Sequence, residues 1–398
     1  MTTSPRRRRL IFPILLTVVV VLIAATVVSW RWSTRPQGEA QAVEFATAEL
    51  SAPLLDARVL ALGEATHGNA EYQDLRLELS RKVVPNGTRT IILEEDYGQT
   101  LLVNDWIQGG EGTAEEAALR FGFRINQTVE NARWLSWLRE FNEGQPAGEK
   151  VQLLGMDVQR TEANKALALD GLAEQDPATA ERLRAALAEP ESMITATSEL
   201  FDATLALPED HPNTWATRTA AQALRHNVEL ISTEGYYGDI REAAMFDMLV
   251  RLVEHSPTPV LLFGHNAHVA KAEQGMLSSP VGARAAEKWG DGYRVIGTDF
   301  IRTEFLSGNG TDRQAWTLQI RSPLQGMFEG TQIGYLDFTD TTGTNRELVD
   351  SEVTMGSAGE NFNRFQQLLP FGHLVAGVPS TWYDSLIVVA DATPTTML

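Results

Sequence analysis

Short apolar runs that each stop at a glycine or a cluster of polar residues, with helical patterns between them, constrain this chain more than any other feature. Runs of this kind occupy Arg58 to Leu62, Arg89 to Glu94, Val151 to Met156, Thr258 to Phe263, Arg294 to Asp299 and Ser385 to Val389. Helical periodicity fills the gaps at Tyr72 to Val83 and Trp134 to Glu143, and a further helix is predicted over Val43 to Leu50. Buried strands alternating with helices predict an α/β fold with a mostly parallel central sheet flanked by helices. From residue 162 to residue 256 no strand candidate appears, and the Ala- and Leu-rich stretches there predict an inserted all-helical lobe. The reading divides the chain into an α/β core, 43–161 and 257–392, around that lobe.

The amino terminus predicts an address. Arg6 to Arg9 precede a nearly unbroken apolar run, 10–30, close to the roughly 20 residues that a bilayer-spanning helix needs. Residues 1–9 are expected on the cytoplasmic side, 10–30 as an N-terminal transmembrane helix and single-pass anchor, and 31–42 as a linker. The rest of the chain would then lie outside the cytoplasm, or be secreted if the anchor is cut. Six of the 33 basic residues lie before any acid, leaving 27 against 52 acidic ones in the rest. So acidic a body argues against nucleic acid as a partner. The absence of cysteine excludes disulfides, thiolate metal sites and a cysteine nucleophile.

Three strand ends carry the chemistry. In VLALGEATHG, Val59 to Gly68, a strand runs into Gly63 and delivers Glu64 and His67 to the loop before a helix starting near Asn69. A carboxylate beside an imidazole favours its protonated form and orients the ring, as general-base work near neutral pH requires. For an isolated Glu-x-x-His the plainer account is a histidine capping the next helix beside a solvated glutamate. In ILEEDYG, Ile92 to Gly98, strand alternation sends Glu94 and Asp96 one way and Glu95 the other, with ordinary solvation the better account of Glu95 and Asp96. In LLGMDVQ, Asp157 ends another strand, where a helix cap explains it as well as function does. The third end is VLLFGHNAHVAK, Val260 to Lys271, where His265 and His268 can face one direction. Three of the seven histidines thus fall at strand ends, while His211, His226 and His255 read as surface positions.

GEATHG with Glu71 and Arg76, LEEDYG with NDWI at Asn104 to Ile107, GHNAH, WGDGYRVIG at Trp289 to Gly297 and WYDSLIVV near the end resemble the erythromycin esterase family, in order and spacing, from about Val43 to Val389. The resemblance implies a hydrolase without cofactor or metal, opening an ester or lactone bond of a small molecule with a His-activated water. On matching positions, His67 would be the base, Glu64 its orienting partner and Glu94 the essential carboxylate. Arg76, His265 and His268 would hold the carbonyl or the oxyanion, and Glu71, Asp157 and Arg241 would contact substrate. Two departures stand out: an anchor differs from the cytoplasmic resistance enzymes, and the 162–256 lobe is only partly alike. No G-x-S-x-G stands where a serine nucleophile would need it. Two other readings of the same residues are a metal-dependent hydrolase or peptidase with Zn²⁺ or Mn²⁺ on the Glu/His cluster, and an envelope protein that binds a haem-like macrocycle without turnover.

Overall fold

Alternation along the strands decides which layer each side chain enters. In β2 (Val59–Glu64), Val59 and Ala61 join one hydrophobic core while Leu60 and Leu62 join the other. In β5 (Val260–His265), Val260 and Leu262 again part from Leu261 and Phe263. A sheet apolar on both faces must be covered on both. The computed structural model, which describes residues 37–274, 279–309 and 312–398, shows both covers. On one side lie the helices Ala70–Val83 and Val129–Glu143. The other side holds most of the buried side chains of the five helices between Glu162 and His255, with Leu169, Leu200, Leu224 and Met248 in the same core as the strands.

The remaining strands are β1 (Val43–Glu44), β3 (Thr90–Asp96), β4 (Gln152–Asp157), β6 (Tyr293–Asn309), β7 (Asp312–Gln319), β8 (Ile333–Asp337), β9 (Val353–Gly356), β10 (Leu374–Gly377) and β11 (Ser385–Ala392). The main sheet has the order β1-β8-β11-β6-β2-β5-β3-β4, with β7 paired to the far half of β6, and β9 and β10 form a separate hairpin. From β11 to β4 every neighbour is parallel, and β1, β7 and β8 add antiparallel pairs. The fold is therefore mixed α/β with a mostly parallel centre. In register, Glu64 stands beside His265, so the ends of β2 and β5 meet.

Three expectations require correction. Val43 to Leu50 is not a helix: Val43 and Glu44 pair with Tyr335 and Gly334, and Phe45 to Thr47 make a single 3-10 turn. The Glu44 carboxylate accepts from the Gln332 and Ile333 amides, so the segment is fixed by a partner some 290 residues away, beyond the reach of local propensity. The described part of the expected linker, 37–42, is fastened too: the Gly38 amide donates to Pro323 O, and those of Gln41 and Ala42 to Met327 O. His226 is buried, between Asp247, Glu229 and Gln222. The expected transmembrane helix, 10–30, lies outside the described residues, among which no helix is long and apolar enough to cross a membrane.

Candidate active site

The carboxyl ends of β2, β3 and β5 open into a cavity of about 540 Å³. Glu64, His67, Arg76, Glu94, Arg241, His265 and His268 all line it. Gly68, just past His67, lets the loop lie against β6: a Cβ there would come 1.9 Å from Leu306 O. On the same loop, Gly68 O accepts from the amides of Leu306 and Thr395.

His67 Nδ1 stands 2.6 Å from Glu64 Oε1, and Arg76 Nη2 donates to the other oxygen, Glu64 Oε2, at 3.1 Å. Arg76 Nη1 donates to Asn126 Oδ1 and Asn131 Oδ1. Asn126 in turn donates to Glu95 Oε2, which also accepts from the Phe123 amide. Glu64 and Arg76 are each only 6% exposed, so the pair is shielded from solvent and held in one geometry. Burial alone would raise the Glu64 pKa, but Arg76 and His67 hold it below the usual value. Burial likewise opposes charge on His67, yet the hydrogen bond and charge of Glu64, with smaller help from Glu94 and Glu360, raise its pKa. With Nδ1–H directed at Glu64, the Nε2 lone pair of a neutral His67 is left without a partner among the described residues, on the cavity wall.

His268 lies between two carboxylates, Nδ1 2.5 Å from Glu242 Oε1 and Nε2 3.1 Å from Glu94 Oε1. Burial opposes protonation, but those two charges push its pKa up to about 10, so the ring is an imidazolium. Arg241 donates to Glu94 Oε1 at 2.9 Å and to Asp157 Oδ2. Glu94, whose second oxygen accepts from the His265 amide at 2.8 Å, is held well below the carboxylate range by His268 and Arg241 despite its burial.

His265 has the opposite charge state. Its ring lies 4.8 Å from that of His67, and burial together with the positive charges of His67 and His268 lowers its pKa to about 3. Its Nδ1 accepts from the Ala267 amide, so a neutral ring carries its proton on Nε2, which is buried and has no partner among the described residues. The site therefore sets a basic imidazole beside a neutral N–H donor, backed by an imidazolium. Groups pushed apart in this way are the pattern of acid–base sites.

Several sequence-predicted roles shift. Arg76 is not free to hold a carbonyl, because its guanidinium is engaged by Glu64, Asn126 and Asn131. Asp157 is fully buried behind Arg241 and also accepts from the Val158 and Gln159 amides, so it supports an arginine and is neither a helix cap nor on the cavity wall. Glu71 is not on the wall either: its carboxylate accepts from Thr393 N and Oγ1. That contact belongs to a strap, 393–398, in which Thr396 N donates to Glu130 and Leu398 N to Gln127 O. Glu95 and Asp96 are not solvated but wholly buried. The β3–β4 register shifts between Leu93 and Asp96, turning Glu94 to the cavity and leaving Asp96 to cap the helix Tyr97–Ile107 through Gln99 N. A Cβ on Gly155 would lie 2.3 Å from Glu95 O, so this irregularity needs a glycine opposite it. Glu242, Asn126, Asn131, Arg313 and Glu360 were not foreseen; only Glu242, next to Arg241, had a neighbour that could have pointed to it. Where the sequence left open a metal held by the Glu/His cluster, the described residues contain no group of three or more His, Asp or Glu placed to hold an ion.

A cavity at the carboxyl ends of parallel strands, lined by histidines of unlike charge state and by carboxylates paired with arginines, is the kind of place where α/β proteins bind small molecules. The chain belongs to the erythromycin esterase family, whose profile, described as Erythromycin esterase, matches residues 83–392. The match begins beyond the His67 loop, so Glu64 and His67 stand on the geometry above. Among solved structures, a Bacillus cereus protein superposes with a TM-score of 0.76 at 17% identity, over 90% of this chain and 97% of that one. A succinoglycan biosynthesis protein gives 0.75 at 18%, over 87% and 91%. A mutant of the erythromycin esterase EreC in its open conformation gives 0.59 at 17%, over 89% and 97%. At these identities the likeness is one of fold. Family and fold together suggest an esterase-like hydrolase acting on a small-molecule substrate.

Proposed function

We propose that this protein hydrolyses a carboxylic ester or lactone without a metal, using water activated by His67. The observation that carries the reading is the buried Arg76–Glu64–His67 series, which leaves one imidazole nitrogen unpartnered on the cavity wall. His67 Nε2 takes a proton from water while the water oxygen bonds to the acyl carbon. His265 Nε2–H stabilises the carbonyl oxygen as it becomes negative, and the His268–Glu94–Arg241 cluster fixes the strand end that carries His265. When the tetrahedral intermediate collapses, the ester C–O bond breaks and His67 returns the proton to the leaving alkoxide. No covalent acyl-enzyme is formed.

Because EreC is an erythromycin esterase, macrolactones belong in the test beside simple esters. The full-length chain should add water to at least one of them, read by product mass, in the presence of chelator. His67→Ala should lower kcat by about 10²–10⁴-fold, the usual worth of a positioned base. Loss on chelation with recovery on added Zn²⁺ or Mn²⁺ would replace this mechanism with a metal-dependent one. The arginine-flanked apolar run 10–30 supports membrane attachment with the site outside the cytoplasm, and recovery in the soluble fraction after cell lysis would refute it.

A further inference from the structure

The arginines around the cavity fall into two groups. Arg76 and Arg241 are engaged by the carboxylates of the reacting end. Arg160, Arg124 and Arg313 are not. Arg160 is exposed and makes no side-chain hydrogen bond or ion pair with any described residue; its guanidinium lies over the Phe123 ring, 5.6 Å from the centroid. Arg124 bonds Gln127 Oε1 and a main-chain oxygen of Leu398, and no Asp or Glu side chain of the described residues reaches it. Arg313, with only 8% of its side chain exposed, gives Nη2 to Glu360 Oε1 at 2.6 Å, while Nε and Nη1 are buried without partners among the described residues.

Buried charged donors are rarely left open, because the lost hydration has nothing to replace it. Glu360 Oε2 is also unpartnered and could take a second bond from Arg313 after a small shift. A carboxylate engages two guanidinium nitrogens at most in that way, so one of the three would still be open. Arg313, Glu360, Arg160 and Phe123 all line the cavity that His67 lines, with Arg160 over the Phe123 ring. The chain as a whole carries 52 acidic against 33 basic residues. Its body repels anions, and uncommitted cations gathered in one cleft focus attraction there.

We propose that the substrate of this site carries an anionic oxyacid group, a carboxylate or a phosphorus oxyanion, held by Arg160 and Arg313 while its ester lies against His67 and His265. The inference rests on the hydrolase reading for its kinetic test and is independent of it for binding. The kinetic test compares p-nitrophenyl pentanoate with p-nitrophenyl hemiglutarate, similar in length but ending in a carboxylate, and with p-nitrophenyl 4-phosphonobutanoate. At low ionic strength the full-length chain should favour at least one charged ester by about tenfold or more in kcat/KM, and high salt should reduce that ratio. Arg160→Gln breaks no hydrogen bond or ion pair and should bring the ratio towards one, as should Arg313→Gln; Arg160→Glu should invert it. A neutral ester cleaved as well as both charged ones, or a ratio untouched by Arg160→Gln, would overturn the proposal. Calorimetric titration of the same chain with glutarate and with inorganic phosphate separates the two readings. If no ester is cleaved but either anion binds and Arg160→Gln removes that binding, hydrolysis fails and anion recognition stands. If neither anion binds and no ester is cleaved, both fail.

Discussion

Glu64 divides its two oxygens between an arginine and a histidine, and this division sets the protonation of His67. Arg76 keeps Glu64 ionised despite burial, and the ionised Glu64 makes His67 a stronger base than free imidazole. His265, less than 5 Å away by ring centroid, has no carboxylate on its ring and stays neutral. Because a base must be unprotonated to act, kcat/KM should rise with pH through the raised His67 pKa, placing the acid limb above the ordinary histidine value. Glu64→Gln removes the main interaction that raises it. The limb should move to lower pH and the plateau fall by about tenfold or more, since the ring is then both less basic and less oriented. A pH–rate profile of the two proteins decides this, and an unmoved limb would deny Glu64 its tuning role.

At the level of elements, the helix Tyr237–His255 joins the helical layer to the strand ends through adjacent residues. Arg241 reaches Glu94 and Asp157, and Glu242 reaches His268 and the Val281 amide. His268 is protonated in the fold up to about pH 10, whereas unfolded histidine loses its proton near 6.5. Its charge therefore stabilises the fold fully below about pH 6.5, and that contribution declines as pH rises towards 10. Glu242→Gln leaves a buried cation with one partner fewer and should cost about 3–5 kcal/mol at pH 7, with a smaller difference near pH 10. Urea midpoints at the two pH values test it; a penalty that grew with pH would reverse the assignment. Element-scale structure was legible where it was local. Apolar runs ending in Gly63 or Gly264 announced β2 and β5, and the Ala-rich series announced the helices after residue 162. The β1 edge was not legible, because it is a strand only by virtue of β8, and the shift in β3 depends on Gly155 in another strand. Glu64, His67, Glu94, His265 and His268 could be read from their strand ends. Asn126 and Arg313 lie in segments of no marked pattern, and their charged partners Arg76 and Glu360 stand about 50 residues away.

Across the whole molecule, the cavity is assembled from the ends of β2, β3 and β5, the segment 123–126, the helix bearing Arg241, and Arg313 with Glu360. The strap 393–398 closes behind it, bonding Gly68 and Ala70 beside His67 and Gln127 and Glu130 beyond Asn126. Removing 393–398 leaves every proposed catalytic side chain in the chain but frees the loop and the wall that position them. The shortened protein should keep its far-ultraviolet circular dichroism, melt several degrees lower and lose about tenfold or more in kcat/KM. Unchanged kinetics with a lowered melting temperature would make the strap structural only. A ribosome makes residues 393–398 after every segment they hold, and cannot let them reach Gly68 until they have left its exit tunnel. A chain abandoned a few codons earlier would hold every proposed catalytic side chain and still lack the fastening that the strap gives to Gly68 and Ala70.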